Sequence, residues 1–586
     1  MTFIDWSIVL VLNGSIIFYA MLRGRETHNS RDWFLAGRSL PWWIVGISMY
    51  ATAIDSTDLV VDAGAAYGLG LRYFVANWMG VVGGWLLLAH VVAPQMYRAG
   101  MYTNAEYLEA RFGVASRVIS VLVQVIYRTS IIGMIATTNY LTLHIACGMT
   151  PVAAWSTVVS IAVLATAYTM IGGLKSVAIT DALQSIIMLL ASIVFFVVVW
   201  GQVDGWEGTK QKLAAADAAL PEQFLRIGVD QQVVEKPEDA PSEPRIAIRQ
   251  RMGFKYDEQR DEFVRTSPAW LVCLSLMIAG VSYSLVNHTQ SMRLLGARSV
   301  WDIRMAAVPA GLILIGVTFL NLTMGIMGRA LYPVLDANLL GVDQSVLQID
   351  VIYPVMVREF CSTGLRGIVV AGIFAAAFST YDSIGSTLSA LITRDVYARL
   401  LVTDRSDGHY LAVARWLTPV VVFGSFLYVP ELMSRGMISF YLELVGSFVV
   451  PLMAVYLLGS FSRAHRSSAV FGLAAGVAYG IVALCAPRVA DSWDVVLLPP
   501  ALMDANTTAP ITFAITCSVM VLVSLVRGWE TSRTFERTET GRWLADSQQE
   551  AREASPPDES RSNTLPVVLG LIVITISTVL CFGVFW

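Results

Sequence analysis

Charge is what this sequence has least of. Only 14% of its 586 residues are Asp, Glu, Lys or Arg, against about 25% in a soluble globular chain. At that density a chain of 64.0 kDa lacks the polar surface to cover several water-facing domains. The net charge of −4 is small, and no concentrated basic face exists to hold a nucleic acid. The six cysteines show no CxxC spacing, which excludes a zinc ribbon or a disulfide framework and leaves them as small apolar packing residues. None of the six histidines begins an HExxH motif, and GxSxG and Walker A motifs are missing too, so zinc-protease, serine-hydrolase and P-loop chemistry are excluded. Nothing here is an enzyme. Short alternating segments of about ten residues, the mark of a closed barrel, do not occur either.

What is present is apolar length. Hydrophobic residues make up 55% of the chain, and the mean hydropathy is +0.61. A helix needs about 20 mostly apolar residues to span a bilayer. Such windows fall near 3–22, 41–65, 73–97, 116–145, 150–171, 179–201, 268–291, 305–329, 366–393, 410–431, 436–460, 467–487, 509–526 and 564–586. The reading is an all-α, multi-pass protein of the cell membrane with about 14 spans. Phe3 to Leu22 contains Asp5 and has no basic leader, so it reads as a retained span and not a signal peptide.

Arginines set the orientation. With the N-terminus outside, the inner loops collect Arg23, Arg25, Arg31 and Arg38, then Arg98, Arg111 and Arg117, then Lys175. Arg293, Arg298 and Arg304 follow, then Arg394, Arg399 and Arg405, then Arg463 and Arg466, while short outer loops hold few, such as Arg72 and Arg435. Both termini are then extracytoplasmic. Residues 202–266, with Lys236 to Pro244, read as an outer loop with some helix, and 527–563 as a flexible cytoplasmic linker.

Ionisable residues inside spans are costly and point to function by default. Asp55, Asp58 and Asp62 step by three and four and share one helical face wherever the helix is continuous. The polar run Thr52 to Asp58 is poor in helix formers, and a broken helix there would free carbonyls for a cation and amides for an anion. Asp55 reads as functional, whereas Asp62 reads as paired with an arginine or facing water. Ala376, Ser379, Thr380 and Ser383 share a face of the ninth span, offering hard oxygens that suit an alkali cation. Close helix packing explains such hydroxyls equally well, and Asp382 in the same span tilts the balance towards function. Arg128 either neutralises an intramembrane aspartate or receives a carboxylate in its bidentate fork. His90, His144 and His288 read as polar packing residues.

Several blocks, taken in order, resemble the sodium:solute symporter family. Phe34-Leu-Ala-Gly-Arg-Ser-Leu-Pro-Trp-Trp43 precedes the second span. Tyr168-Thr-Met-Ile-Gly-Gly-Leu-Lys-Ser-Val-Ala-Ile-Thr-Asp-Ala-Leu-Gln184 is similar to the family's most recognisable signature. The ninth span ends at Thr393-Arg-Asp-Val-Tyr397, and Glu443 to Gly459, with Pro451, forms a further block.

The resemblance implies an inverted five-plus-five helix repeat whose two first helices are broken around a midplane site. It divides the chain into 1–40 (first span and following loop), 41–201 (first repeat), 202–266 (outer loop) and 267–460 (second repeat). After these come 461–526 (peripheral spans), 527–563 (linker) and 564–586 (last span). It implies sodium, the only metal ion expected, on carbonyls of Ala51, Ile54 and Ala376 and hydroxyls of Ser379 and Thr380. A second sodium in some relatives would map to Asp181, Ser383 and Asp382. Solute-contacting positions would be Asp55, Thr57, Asp58, Asn77, Arg128, Tyr283 and Asn287. Asn77, Ser284, His288, Leu442 and the Thr57-Asp58 pair depart from the sugar-carrier pattern, and Arg128 matches a carboxylate-binding position. The expected partners are the lipid bilayer and a small solute that is sugar, carboxylate or amino-acid-like, imported with sodium; the oligomeric state is left open. The alternative is a non-transporting membrane sensor on the same fold, for which no signalling module appears. No pore-loop repeat suggests a channel.

Overall fold

The computed structural model describes residues 1–23, 30–235, 241–531, 541–553 and 561–586. Arg25, Lys236 and most of the linker's 532–540 and 554–560 stretches lie outside the described residues, as do the side chains of Arg23, Lys175 and Arg435. Twelve described helical segments are long and apolar enough to cross a membrane, and a bent pair raises the number to 13. They are preceded by α1 (Phe3–Arg23), in which the described apolar stretch is the shorter Phe3–Tyr19.

The bent pair is α2 (Trp42–Ala53) and α3 (Ser56–Leu69), inclined at 56°. Their break is written locally. Ile54 and Asp55 both take extended backbone, and the Asp55 carboxylate accepts the Thr57 and Asp58 amides while Asp58 accepts the Asp55 amide. That reciprocal capping starts a new helix where the chain could have continued the old one. The spans that follow are α4 (Ala76–Arg98) and, after the short α5 (Asn104–Phe112), α6 (Val114–Ala146).

The two spans expected at 150–171 and 179–201 form one helix, α7 (Pro151–Val203), with apolar segments Pro151–Met170 and Val177–Val203. A second break follows in α8 (Ala269–Val286) and α9 (His288–Leu295), where Asn287 leaves helical backbone and its side chain accepts the Thr289 amide at 3.0 Å. The remaining helices are α10 (Val300–Leu331), α11 (Leu365–Leu401), α12 (Asp407–Ser434), α13 (Met437–Phe461), α14 (Ser468–Trp493), α15 (Ala505–Arg527), α16 (Arg542–Glu553) and α17 (Thr564–Val584).

Burial ranks the spans. In α11, 94% of the most apolar window is buried, against 33%, 28% and 22% in α14, α15 and α17. This most buried helix carries the buried hydroxyls of Ser379, Thr380, Ser383, Ser386 and Thr387. Glycines permit the closest crossings: a Cβ on Gly280 would lie 2.1 Å from the Ala76 carbonyl, and one on Gly325 would lie 2.0 Å from the Ala63 carbonyl. Small residues let backbones meet this way in spans lacking a hydrophobic drive to associate.

The all-α expectation needs one correction. Residues 202–267 contain three helices and a three-stranded antiparallel sheet ordered β1 (Gln231–Glu235), β3 (Glu262–Ser267), β2 (Lys255–Asp257). Val233 and Phe263 pack with Ile248 and Met503 in a separate small core, and this alternation of apolar and polar residues is too short to register against the long spans. The linker also departs from expectation: its described part, α16, is a packed helix. All six cysteines are free.

Candidate functional site

The α2–α3 break lies against α11. Ser379 donates to the Ala51 carbonyl at 3.1 Å and to Asp181 Oδ1 at 2.6 Å. The Thr380 hydroxyl is fully buried yet meets no hydrogen-bond partner among the described residues. Ala376 is buried on the same helix, and Ile54 is the residue at which α2 ends. The structure therefore joins Ser379 to Ala51, three residues before the end of α2 at Ile54, with Ala376 and Thr380 buried on the same helix as Ser379. Hydroxyls and helix-end carbonyls are hard oxygen donors, and an orphaned buried hydroxyl is the donor a small cation would satisfy.

Asp181, Asp382 and Ser383 converge beside that group, but with a residue the sequence reading missed. Arg293 of α9 pairs with Asp181 Oδ2 at 2.9 Å, both side chains being fully buried. It also donates to Ser48 at 2.9 Å, to the Thr289 carbonyl at 3.1 Å and to Ser383. Asp181 Oδ2 accepts Ser48 at 2.6 Å, and Asp382 accepts Tyr168 at 2.8 Å and Ser383 at 3.0 Å. A guanidinium thus stands where the resemblance would put a second sodium. Its signal is present in the sequence, since Arg293 lies next to an apolar span, but hydropathy alone places it among the inner-loop arginines.

On the other side of the break is a cavity enclosing about 700 Å³ of atom-free space, part of it open to solvent. Asp55, Thr57, Asp58, Asn77 and Tyr283 line it, as the sequence suggested, together with Asp62, Tyr73 and Tyr441. Asp62 pairs with no arginine; it accepts Tyr73 at 2.9 Å and Asn77 at 3.4 Å. Of the two expectations for Asp62, the arginine pair is not formed among the described residues, where Tyr73 and Asn77, 11 and 15 residues along the chain, supply neutral donors, and Asp62 instead lines the partly open cavity. Asn287 is outside the lining, with its side chain engaged in capping α9. Arg128 is outside as well, buried against the rings of Tyr127 and Tyr283 at 5.7 and 5.9 Å. Of the three histidines, His90 and His144 bond the Leu86 and Met149 carbonyls at 3.0 and 2.8 Å, and His288 is buried.

A second charged cluster joins α5, α6 and α11 at one end of the molecule. Arg117 pairs with Glu109 and with Asp395, Arg399 bonds Glu109 at 2.5 Å, and Arg394 bonds Glu106 at 3.1 Å. Burial alone would raise the Glu109 carboxyl, but hydrogen bonds and charge from Arg399 and Arg117 hold it below the usual glutamate range. Helix α16 lies across this cluster: Ser547 accepts Arg394 at 3.1 Å, Ala551 accepts Arg38 at 2.7 Å, and the Trp543 ring stacks on Tyr410 at 4.1 Å. The Arg394-Asp395 pair was visible as a motif, but its partners some 290 positions away were not.

Comparison with known proteins follows the same lines. The family model for the sodium:solute symporter family matches residues 33–476. Solute carrier family 5 member 4A of Mus musculus is 26% identical over 491 residues, covering 80% of this chain and 70% of its own. Sodium/myo-inositol cotransporter 2 of Homo sapiens is 26% identical, over 78% of this chain and 65% of its own. Sodium/glucose cotransporter 1 of Oryctolagus cuniculus is 27% identical, over 76% and 66%. The chain thus spans about two thirds of the length of these relatives, which are transporters and not enzymes. Among solved structures, a sodium-coupled sialic acid symporter in a substrate-bound outward-open state superposes with a TM-score of 0.69 at 19% identity, covering 90% of this chain and 98% of its own. Mhp1 in an inward-facing conformation gives 0.50 at 10% identity, over 89% and 96%. At those identities the likeness is one of fold. The family match runs over more than half the chain and contains both helix breaks, and on that ground this chain belongs to the sodium:solute symporter family.

Proposed function

We propose that this protein imports a small organic solute together with sodium by alternating access. The observation that carries the reading is the extended break at Ile54 and Asp55, set beside the hydroxyl of Ser379 and a cavity that Asp55, Asp58 and Asp62 line. Sodium would bind at the carbonyls of Ala51, Ile54 and Ala376 and the hydroxyls of Ser379 and Thr380. By joining α2 to α11 it would hold the broken helix in the arrangement that accepts solute. The breaks at 54–55 and 287 fall in the first helices of two inverted repeats, 41–201 and 267–460, in the cell membrane with both termini outside. A second ion at Asp181, Ser383 and Asp382 would have to displace the Arg293 guanidinium.

The energetics suffice with one ion. A sodium ion entering at −100 mV releases about 2.3 kcal/mol from the field, enough for a solute gradient of about fifty-fold. The test is uptake into proteoliposomes under an inward sodium gradient, with potassium as the control ion. Uptake that follows the sodium gradient supports the reading, and equal uptake in potassium refutes it.

A further inference from the structure

From the cavity we infer that the solute is a small zwitterion, its ammonium group held by Asp58 and Asp62 and its carboxylate drawn to Arg128. The inference rests on the symport reading and specifies the solute of that same site.

Three carboxylates, Asp55, Asp58 and Asp62, line one cavity, and none forms an ion pair with a described residue. Asp55 has its charge answered locally: it caps α3, accepting the Thr57 amide at 2.7 Å and the Asp58 amide at 3.3 Å at the positive end of the helix. The other two do not. Asp58 accepts only the Asp55 amide, at 2.7 Å, and Asp62 only the neutral donors Tyr73 and Asn77. They are four residues apart on α3, so both face the same side of the helix. Carboxylates taken out of water without a counter-charge are costly, and the missing positive charge is one that a ligand can bring. The rings of Tyr73, Tyr283 and Tyr441 border the same space. Aromatic faces beside carboxylates suit an ammonium centre, and the volume exceeds what a bare alkali ion fills.

Arg128 supplies the independent half. It is 2% exposed, and none of its three guanidinium nitrogens meets a hydrogen-bond partner among the described residues, the Asp55 carboxylate being the opposite charge that acts with it. Its guanidinium lies 5.9 Å from the ring of Tyr283, which itself lines the cavity. A buried guanidinium with unused donors calls for an anion, and its planar fork matches a carboxylate. Two carboxylates without a counter-charge at one place and a guanidinium with unused donors at another fit a ligand carrying both signs. A neutral polyol would leave Asp58 and Asp62 without a counter-charge and bring no carboxylate to the Arg128 fork.

The test is sodium-dependent thermal stabilisation of the purified full chain, with glycine betaine and proline as zwitterions, choline as an ammonium only, and glutarate and sialic acid as carboxylates only. Glucose and myo-inositol are the neutral probes. Stabilisation in sodium by a zwitterion and by no neutral or anionic probe is expected. Asp58→Asn, which keeps an oxygen for the Asp55 amide, and Arg128→Gln should each weaken it about thirtyfold or more. Sodium-dependent stabilisation by glucose, myo-inositol, sialic acid or glutarate overturns the zwitterion while leaving symport standing, and so does stabilisation by choline alone or an unaltered response in both variants. Stabilisation of the wild type that needs no sodium for any probe overturns the symport reading itself.

Discussion

Replacing Thr380 by valine distinguishes a cation ligand from a packing residue, because the two roles move stability in opposite directions. The Thr380 hydroxyl is buried and has no partner among the described residues. Leaving such a group unsatisfied costs about 1–3 kcal/mol. Valine has nearly the same shape without the hydroxyl, so in sodium-free buffer Thr380→Val should be more stable than wild type by about that amount. If the oxygen ligates sodium, the same substitution removes one donor to a charged species, worth about 1.5–3 kcal/mol. That corresponds to a rise of about tenfold or more in the sodium concentration for half-maximal effect. Melting curves in detergent across a sodium series, paired with uptake in proteoliposomes, read both effects on one sample. A variant that is stabilised without sodium but keeps the wild-type sodium dependence would refute the assignment of Thr380, and the double variant Ser379→Ala, Thr380→Ala should lose sodium stimulation altogether while still folding.

Asp181→Asn should destabilise the fold by about 3–5 kcal/mol, because it strands the fully buried Arg293; adding Arg293→Met should recover part of the loss, and melting of the two variants checks it. Gly280→Val should sharply reduce the folded yield in detergent size-exclusion profiles, since even a Cβ would lie 2.1 Å from the Ala76 carbonyl. Trp543→Ala removes a ring stacked on Tyr410 at 4.1 Å and lying under the Arg394 guanidinium at 5.0 Å; worth about 1–2 kcal/mol, its loss should make α16 more open to limited proteolysis without altering the sodium dependence. Glu109 has a carboxyl pKa depressed below its ordinary 4.5, so its pairing with Arg399 and Arg117 stabilises fully above that value and is lost as pH falls through the lower, folded-state value. Glu109→Gln should therefore flatten the acid limb of the stability curve below about pH 4.5.

Much of the architecture follows from sequence alone because a bilayer leaves few choices. Long apolar runs must be helices, and Asp55, placed to cap with Asp58, breaks one of them in a place that can be read locally. Ala51, Ile54, Ala376, Ser379 and Thr380 are proposed as a set only through the ordered family blocks, since hydroxyl spacing alone serves packing equally well. Tertiary structure decided the rest. The Asp181–Arg293 pair joins positions 112 residues apart, and neither residue carries a mark naming the other. For Asp62 the sequence leaves an arginine partner and a water-facing position equally open, and packing places it in the cavity with Tyr73 and Asn77 as donors. The small sheet in 202–267 and the seating of α16 on Arg394 depend on contacts between distant stretches, which local periodicity does not encode. Sequence by itself determined that the chain is a bundle of apolar helices with a broken one at Asp55, because hydrophobic length and helix capping act within a few turns. Which charges meet inside that bundle was decided only by tertiary packing, because a charge's partner is set by distance in space and not along the chain.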